Sequence, residues 1–398
     1  MEFELSKVVR ADFAFLRNTS CIYMDSASTS LKPDIVIDAM MHYYQWEACN
    51  VGRSNHHHAQ LCTQIFEDIR SQVGQFINCA SDEIIFTSNC TDSINLAAFS
   101  LNLSPADHVI ISPLEHHSNL LPWTKTCRVS TLRLMEDGRV DLDYLDAMLI
   151  KDPAKVVAVC HASNITGNIQ PVEEITKIAR RHNAISLVDA AQTAGHINID
   201  VAKINCDFLA FSAHKMLGPS GVGILYARRD IQPTLRCFRY GGGMVNRVSV
   251  EGIDYSEGPA RFEAGTPNIE GIIGLGAAIT YLSQIGMTSI QRHHHQIDHY
   301  LHTHLKKLNY IQPAFPLATD RLPITSFRLS GSIETGVIAR LLSDHYGIAV
   351  SDGYQCNQPL YRAAKIPGGI RISLHMYNTA ADIDTTFAAL SELQPLMA

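Results

Sequence analysis

No stretch of this chain is long and apolar enough for a membrane helix, which predicts a protein that does not span a bilayer. The opening MEFELSKVVRADFAFL is mixed in charge and helix-like, without an apolar signal region. There is no basic block, and a formal charge of −7 over 398 residues argues against nucleic acid as the main partner. The 10 cysteines form no CxxC pair and no repeated spacing. Several lie inside apolar runs such as residues 156–160, so they read as reduced thiols of a cytosolic protein. Internal repeats, low-complexity tracts and a P-loop are all missing.

What is present is a well-mixed composition, 46% hydrophobic and 18% charged, enough for a large core and two domains. The most informative stretch is 185–215. It opens with ISLVDAAQ and closes with FLAFSAHK, two short apolar runs bounded by turn chemistry that predict buried strands at 185–188 and 208–211. Asp189 ends the first and Lys215 follows the second. A carboxylate and an ammonium at the ends of neighbouring buried strands are costly unless something pairs them. They could pair with each other as a structural ion pair. They also suit pyridoxal phosphate (PLP), whose aldehyde Lys215 would join as an imine and whose ring nitrogen Asp189 would neutralise.

Strands are predicted at 21–25, 82–87, 108–112, 155–160 and 221–227, and helices at 56–75, 94–101 and 171–182. The first 20 or so residues read as a short helix on the surface. Between residues 80 and 230 strands alternate with helices, the pattern of a mostly parallel, doubly wound α/β sheet. Ligands sit at the carboxyl ends of such strands. Thr91, His116, Asn164, Asp189 and Lys215 all fall there. The turn SNCTDS at 88–93 before a helix suits a phosphate, although Thr91 or Asp92 could equally be an ordinary cap. The stretch 241–268 reads as less regular loops. Beyond it come helices at 269–285, 335–346 and 381–393 and strands at 324–329, 348–350 and 371–374, a smaller α+β domain. Six histidines, 293, 294, 295, 299, 302 and 304, crowd one further helix. A metal on the face shared by 295, 299 and 302 is conceivable, but the pattern reads as a solvated face.

With SAHK at 212–215, VDAAQ at 188–192, EHHSNLLPW at 115–123, RFEAGTPN at 261–268 and MYNT at 376–379, the chain resembles the group II cysteine desulfurases and selenocysteine lyases. These are PLP enzymes of the class V aminotransferase group with fold type I, and the similarity runs in order over nearly the whole length. The resemblance implies a large PLP-binding domain at 24–275 around a mostly parallel seven-stranded sheet. It implies a small domain formed by 1–23 and 276–398. Lys215 would hold the cofactor covalently, Asp189 its ring nitrogen, and His116 would stack on the ring. Asn164 and Gln192 would reach the ring's oxygen side, while Thr91, Ser212 and His214, with Cys90 in the same loop, would bind the phosphate. Thr266 would arrive from the neighbouring subunit of a homodimer. Arg371 would take the carboxylate of L-cysteine or L-selenocysteine, and Cys356 would be the nucleophile that carries sulfur to an acceptor protein. A cytoplasmic role such as supply of iron–sulfur cluster assembly goes with the family.

The chemistry of these residue types agrees. A protonated ring can absorb the electrons left at Cα, Lys215 can move that proton, and a planar guanidinium fits a carboxylate. One stretch departs from the family pattern. Ser351-Asp352-Gly353-Tyr354-Gln355-Cys356 puts Ser351 where an arginine is usual and has no histidine beside the cysteine. Cys90 likewise replaces a threonine. The alternatives are a PLP lyase or epimerase for another amino acid with Cys356 a bystander, and an inactive binding partner of the same fold. Intact Lys215, Asp189, His116 and Arg371 speak against the latter.

Overall fold

A computed structural model describes residues 3–331 and 333–397. The strands of the main sheet are β1 (Ile84–Thr87), β2 (His108–Ile111), β3 (Arg128–Thr131), β4 (Val156–Cys160), β5 (Ile185–Asp189), β6 (Phe208–Ser212) and β7 (Gly223–Ala227). They lie in the order β1-β7-β6-β5-β4-β2-β3, seven strands in all. β7 runs antiparallel to both its neighbours, and the other pairs are parallel. Every strand except β7 therefore points the same way, and their carboxyl ends share one edge. The expected mostly parallel seven-stranded sheet is observed.

The inner strands are buried along nearly their whole length because helices cover both faces, which is why they read as continuous apolar runs. The crossover helix Val172–Arg181 shows the matching pattern. It buries Val172, Ile175, Thr176, Ile178 and Ala179 and turns its charges outward. Two long helices, α1 (His57–Ile77) and α2 (Cys90–Ser100), flank the sheet, and α3 (Ile269–Ile285) packs on α1. A Cβ at Gly276 would come within 2.8 Å of Ile69, so glycine is what allows α3 to lie this close. Among the described residues no single helix is long and apolar enough to cross a membrane. α3 and its successor pass that test only as a pair bent by 76°, and α3 is packed into the core.

A second, antiparallel sheet is built from β8 (Ile311–Pro313), β9 (Ile324–Leu329), β10 (Ser351–Gly353) and β11 (Gly369–Ser373), in the order β8-β9-β11-β10. The helices α4 (Met287–Leu305), α5 (Thr335–Tyr346) and α6 (Ala380–Glu392) close its core around Phe327, Ile338, Ile370 and Leu390. The start of the chain differs from the expected surface helix. It forms three short helical pieces tied inward at both cores, because Phe3 joins the smaller one while Val9 and Phe13 join the larger.

Three further expectations are corrected. β3 and the exposed hairpin Val245–Ser249/Gly252–Tyr255 lie where no strand was predicted, since neither carries an apolar run. The helix after β1 starts at Cys90 and is capped by Asn89, whose side chain accepts the Asp92 N–H at 2.9 Å, not by Thr91 or Asp92. The histidine-rich helix α4 is not a solvated face throughout. His295 and His299 are exposed, but His293 and His294 are buried where α4 docks against the turn that carries His375.

Candidate active site

The carboxyl ends of β1, β2, β4, β5 and β6 meet the loops of the second sheet around a cavity of about 700 Å³. Lys215, Asp189, Gln192, His116, Thr91, Cys90, Asn164, Ser212, His214, Arg371 and Cys356 all line it. Of the residues expected from the sequence only Thr266 lies elsewhere, in a second cavity it shares with Thr87, Arg239 and Glu263.

Asp189 ends β5 buried, with Oδ1 accepting the Ala191 N–H at 2.9 Å and the Cys90 thiol at 3.4 Å. Burial pushes its carboxyl up, and the Ala191 N–H, the Lys215 ammonium and the Cys90 thiol oppose that. Lys215, in the tight turn after β6, is pushed down by burial and held up in part by Asp189. The two attract each other, yet no ion pair within 4.0 Å joins them among the described residues. Both line the one cavity, whose volume of about 700 Å³ has room for a flat group.

Around this pair the donors are ordered. The Cys90 N–H at the start of α2 reaches Ser212 Oγ at 2.7 Å, while the buried Cys90 thiol is raised far above its usual range by burial and by Asp189. Cys90 thus presents a backbone N–H and not a side-chain hydroxyl. Thr91 Oγ1 and Ser118 Oγ are 2.7 Å apart. The Ser118 N–H donates to His116 Nδ1 at 3.1 Å, so the neutral ring carries its proton on Nε2. Burial, helped by Lys215, lowers His116 to about 3, which keeps the ring neutral. His214 is lowered to about 4 by burial and lies 3.2 Å from Thr29 Oγ1. Gln192 Nε2 donates to the Ala27 carbonyl at 3.0 Å. Beneath the loop, Glu115 accepts from Ser112 and, at 2.6 Å and 2.8 Å, from Asn119 Nδ2 and the Cys160 N–H.

The second sheet brings Arg371 and Cys356. Arg371 is 3% exposed, and its Nη2 donates to Asp25 Oδ1 at 2.8 Å and Ser28 Oγ at 2.7 Å. Nη1 donates to the Asn164 carbonyl at 3.2 Å, and Nε is buried without a partner. Asp25, Ser28 and Ser118 were not foreseen. For Asp25 the only signal was a lone carboxylate opening the small-residue turn SASTS.

Cys356 is exposed to the cavity on a loop held at three points. Its carbonyl accepts the His117 N–H at 3.0 Å, Asn164 Nδ2 donates to the Gln355 carbonyl at 2.8 Å, and Gln355 bridges the Gly369 carbonyl and Tyr361. Gln355 and Cys356 both adopt left-handed backbone, with φ of 40° and 59°. Such a conformation costs free energy in non-glycine residues and persists only when the surroundings enforce it. Ser351 pairs with Arg371 across β10 and β11 and lines the cavity. Asp352 falls on the other face of β10 and is exposed.

The class-V aminotransferase family model matches residues 22–386. A probable cysteine desulfurase of Halalkalibacterium halodurans is 39% identical over 93% of this chain and 92% of its own length. The chain belongs to the cysteine desulfurase family of class-V aminotransferases. The apo structure of a cysteine desulfurase from Thermococcus onnurineus superimposes with a TM-score of 0.91, at 37% identity over 97% of both chains. The cysteine desulfurase CsdA of Escherichia coli gives 0.90, at 32% identity over 99% of both. Enzymes of this family depend on PLP, and the fold-type I architecture is shared throughout the chain.

Proposed function

We propose that this chain binds PLP in the cavity and removes sulfur from L-cysteine, releasing L-alanine and leaving a persulfide on Cys356. The observation that carries this reading is the convergence of Lys215 and Asp189, from the main sheet, with Arg371 and Cys356, from the second, on one cavity.

Lys215 would hold the cofactor and Asp189 its ring nitrogen, with the neutral His116 ring available to stack and Gln192 placed beside it. The N-terminus of α2, with Thr91, Ser212 and His214, would take the phosphate. When bound, PLP supplies a sink for the electron pair left as Cα loses its proton. Arg371, which lines the cavity, orients the substrate carboxylate through its uncommitted Nη1–H. The Lys215 amine, pushed down by burial, takes and returns the proton at Cα. The Cys356 thiolate attacks the substrate sulfur. An S–S bond forms, the C–S bond breaks, and the electron pair returns to the carbon skeleton, which leaves as alanine. L-selenocysteine fits the same geometry. An acceptor protein then takes the sulfur from the exposed Cys356, with cytoplasmic iron–sulfur cluster assembly as one consumer.

The same reading makes the protein a homodimer whose partner brings Thr266 to the phosphate. Exposed Ile35, Ile37, Met41, Tyr44 and Trp46 on one segment support a covered apolar face. Light scattering showing a fully active monomer would refute the dimer.

The decisive test is Cys356→Ala. Alanine formation from cysteine is expected to vanish while PLP absorbance persists, and mass spectrometry of the cysteine-treated wild type is expected to place an added sulfur on the Cys356 peptide. Wild-type turnover in Cys356→Ala would instead favour the lyase or epimerase chemistry that the Ser351 replacement also fits.

A further inference from the structure

One group of side chains takes no part in this chemistry. His196 lies in the turn after β5, His294 on α4 and His375 just beyond β11, so both sheets and a helix between them contribute. The three residues are 2%, 2% and 0% exposed. Their ring centroids are 4.8 Å (His196–His294), 4.2 Å (His196–His375) and 5.3 Å (His294–His375) apart. One nitrogen from each lies within 4.8 Å of those of the others, the only such trio of candidate ligands among the described residues.

These nitrogens are unsatisfied. Nδ1 of His196, both nitrogens of His294 and Nε2 of His375 are buried without a hydrogen-bond partner. The His196 carbonyl is near enough to favour a proton on the His294 ring but falls outside hydrogen-bond geometry. Leaving several polar nitrogens unpaired in one buried spot is costly, and native structures avoid it unless something fills the gap. Burial also holds all three rings neutral, and neutral imidazole is the form that donates a lone pair to a metal.

We propose that His196, His294 and His375 form a structural site for a divalent transition-metal ion of the zinc class, fastening the two halves of the molecule. Three imidazoles without an oxygen ligand select zinc, cobalt, nickel or copper over magnesium or calcium. Zinc–nitrogen bonds of about 2.0–2.1 Å put tetrahedral ligands roughly 3.4 Å apart, within reach of small ring rotations from the present spacing. His375 Nδ1 accepts the Met376 N–H at 2.8 Å, so binding through Nε2 requires the ring's proton to move to Nδ1 and the ring to turn until Nδ1–H no longer faces that N–H.

The test uses purified holoenzyme, stripped with chelator, loaded with zinc or cobalt(II) and dialysed. Metal analysis is expected to find an ion that survives in Cys356→Ala and in His295→Ala, which changes an exposed histidine of the same helix. The ion, its cobalt absorption bands and the zinc-dependent rise in Tm are all expected to disappear in His294→Ala. His294→Gln, which keeps the volume, serves if the alanine variant loses its circular dichroism. A wild type that retains no metal, or a folded His294 variant that retains it as the wild type does, overturns the proposal.

Discussion

Replacing Arg371 by lysine separates the two tasks of this side chain. A guanidinium carries five N–H donors. Here three are engaged, by Asn164, Asp25 and Ser28, and the Nε–H is buried, which leaves one Nη1–H for a substrate carboxylate. An ammonium has three donors, and the same three protein partners claim all of them. Arg371→Lys is therefore expected to fold, because Asp25 keeps a cation, but to have nothing left for substrate. Losing one charge-assisted hydrogen bond costs about 1.5–3 kcal/mol, so kcat/KM for L-cysteine should fall roughly tenfold to over a hundredfold. The carboxylate is held before and during the reaction, so the loss should appear mainly in KM. The assay is alanine formation over a cysteine titration, with PLP absorbance as the control for an intact site. A variant within about threefold of wild type, with unchanged KM, would refute this account of the free donor.

Lys215→Ala should fold but lose the borohydride-reducible PLP adduct; finding that adduct on another lysine of the wild type removes the assignment. Ser351→Arg places a second guanidinium opposite Arg371, and since Asp352 faces away it should lower the KM for cysteine by up to about tenfold. The like-charge pair across the strands should cost about 0.2–1 kcal/mol, visible as a lower Tm, and an unchanged KM would contradict the placement. Burial lowers His161 to about 4, so it is neutral when folded and charged in the unfolded chain at mildly acidic pH. Its contribution is then fully present above the usual histidine pKa and is lost as the pH falls towards 4. His161→Gln should flatten the pH dependence of urea stability by about 1.4 kcal/mol per pH unit in that window, and an unaltered slope would exclude the effect.

The parallel strands were legible because runs such as VVAVC and FLAFS are buried on both faces and need no partner to be recognised. Their carboxyl ends then located Asp189, Lys215 and Asn164 by topology alone. β3 escaped because RVST lies at the sheet edge, half exposed, and shows neither a run nor a clean alternation. Asn89 was passed over as the cap since caps shift by a residue without changing the pattern. His294 was read against its own helix, whereas its neighbours His196 and His375 come from distant parts of the chain. Asp25 shows the same limit, as nothing within its own segment announces a bond to Arg371.

That bond joins residues 346 positions apart. Closing so long a loop adds little entropy beyond a medium one, since the cost grows only with the logarithm of length. Its consequence is one of timing. During synthesis the last strand of the main sheet, ending at Ala227, is made with 171 of the 398 residues (398 − 227) still to come, so Lys215 and Asp189 can be in place while Asp25 and Ser28 must wait for β11. A chain interrupted before residue 369 can thus own the residues proposed to anchor the cofactor without the arginine proposed to grip the substrate.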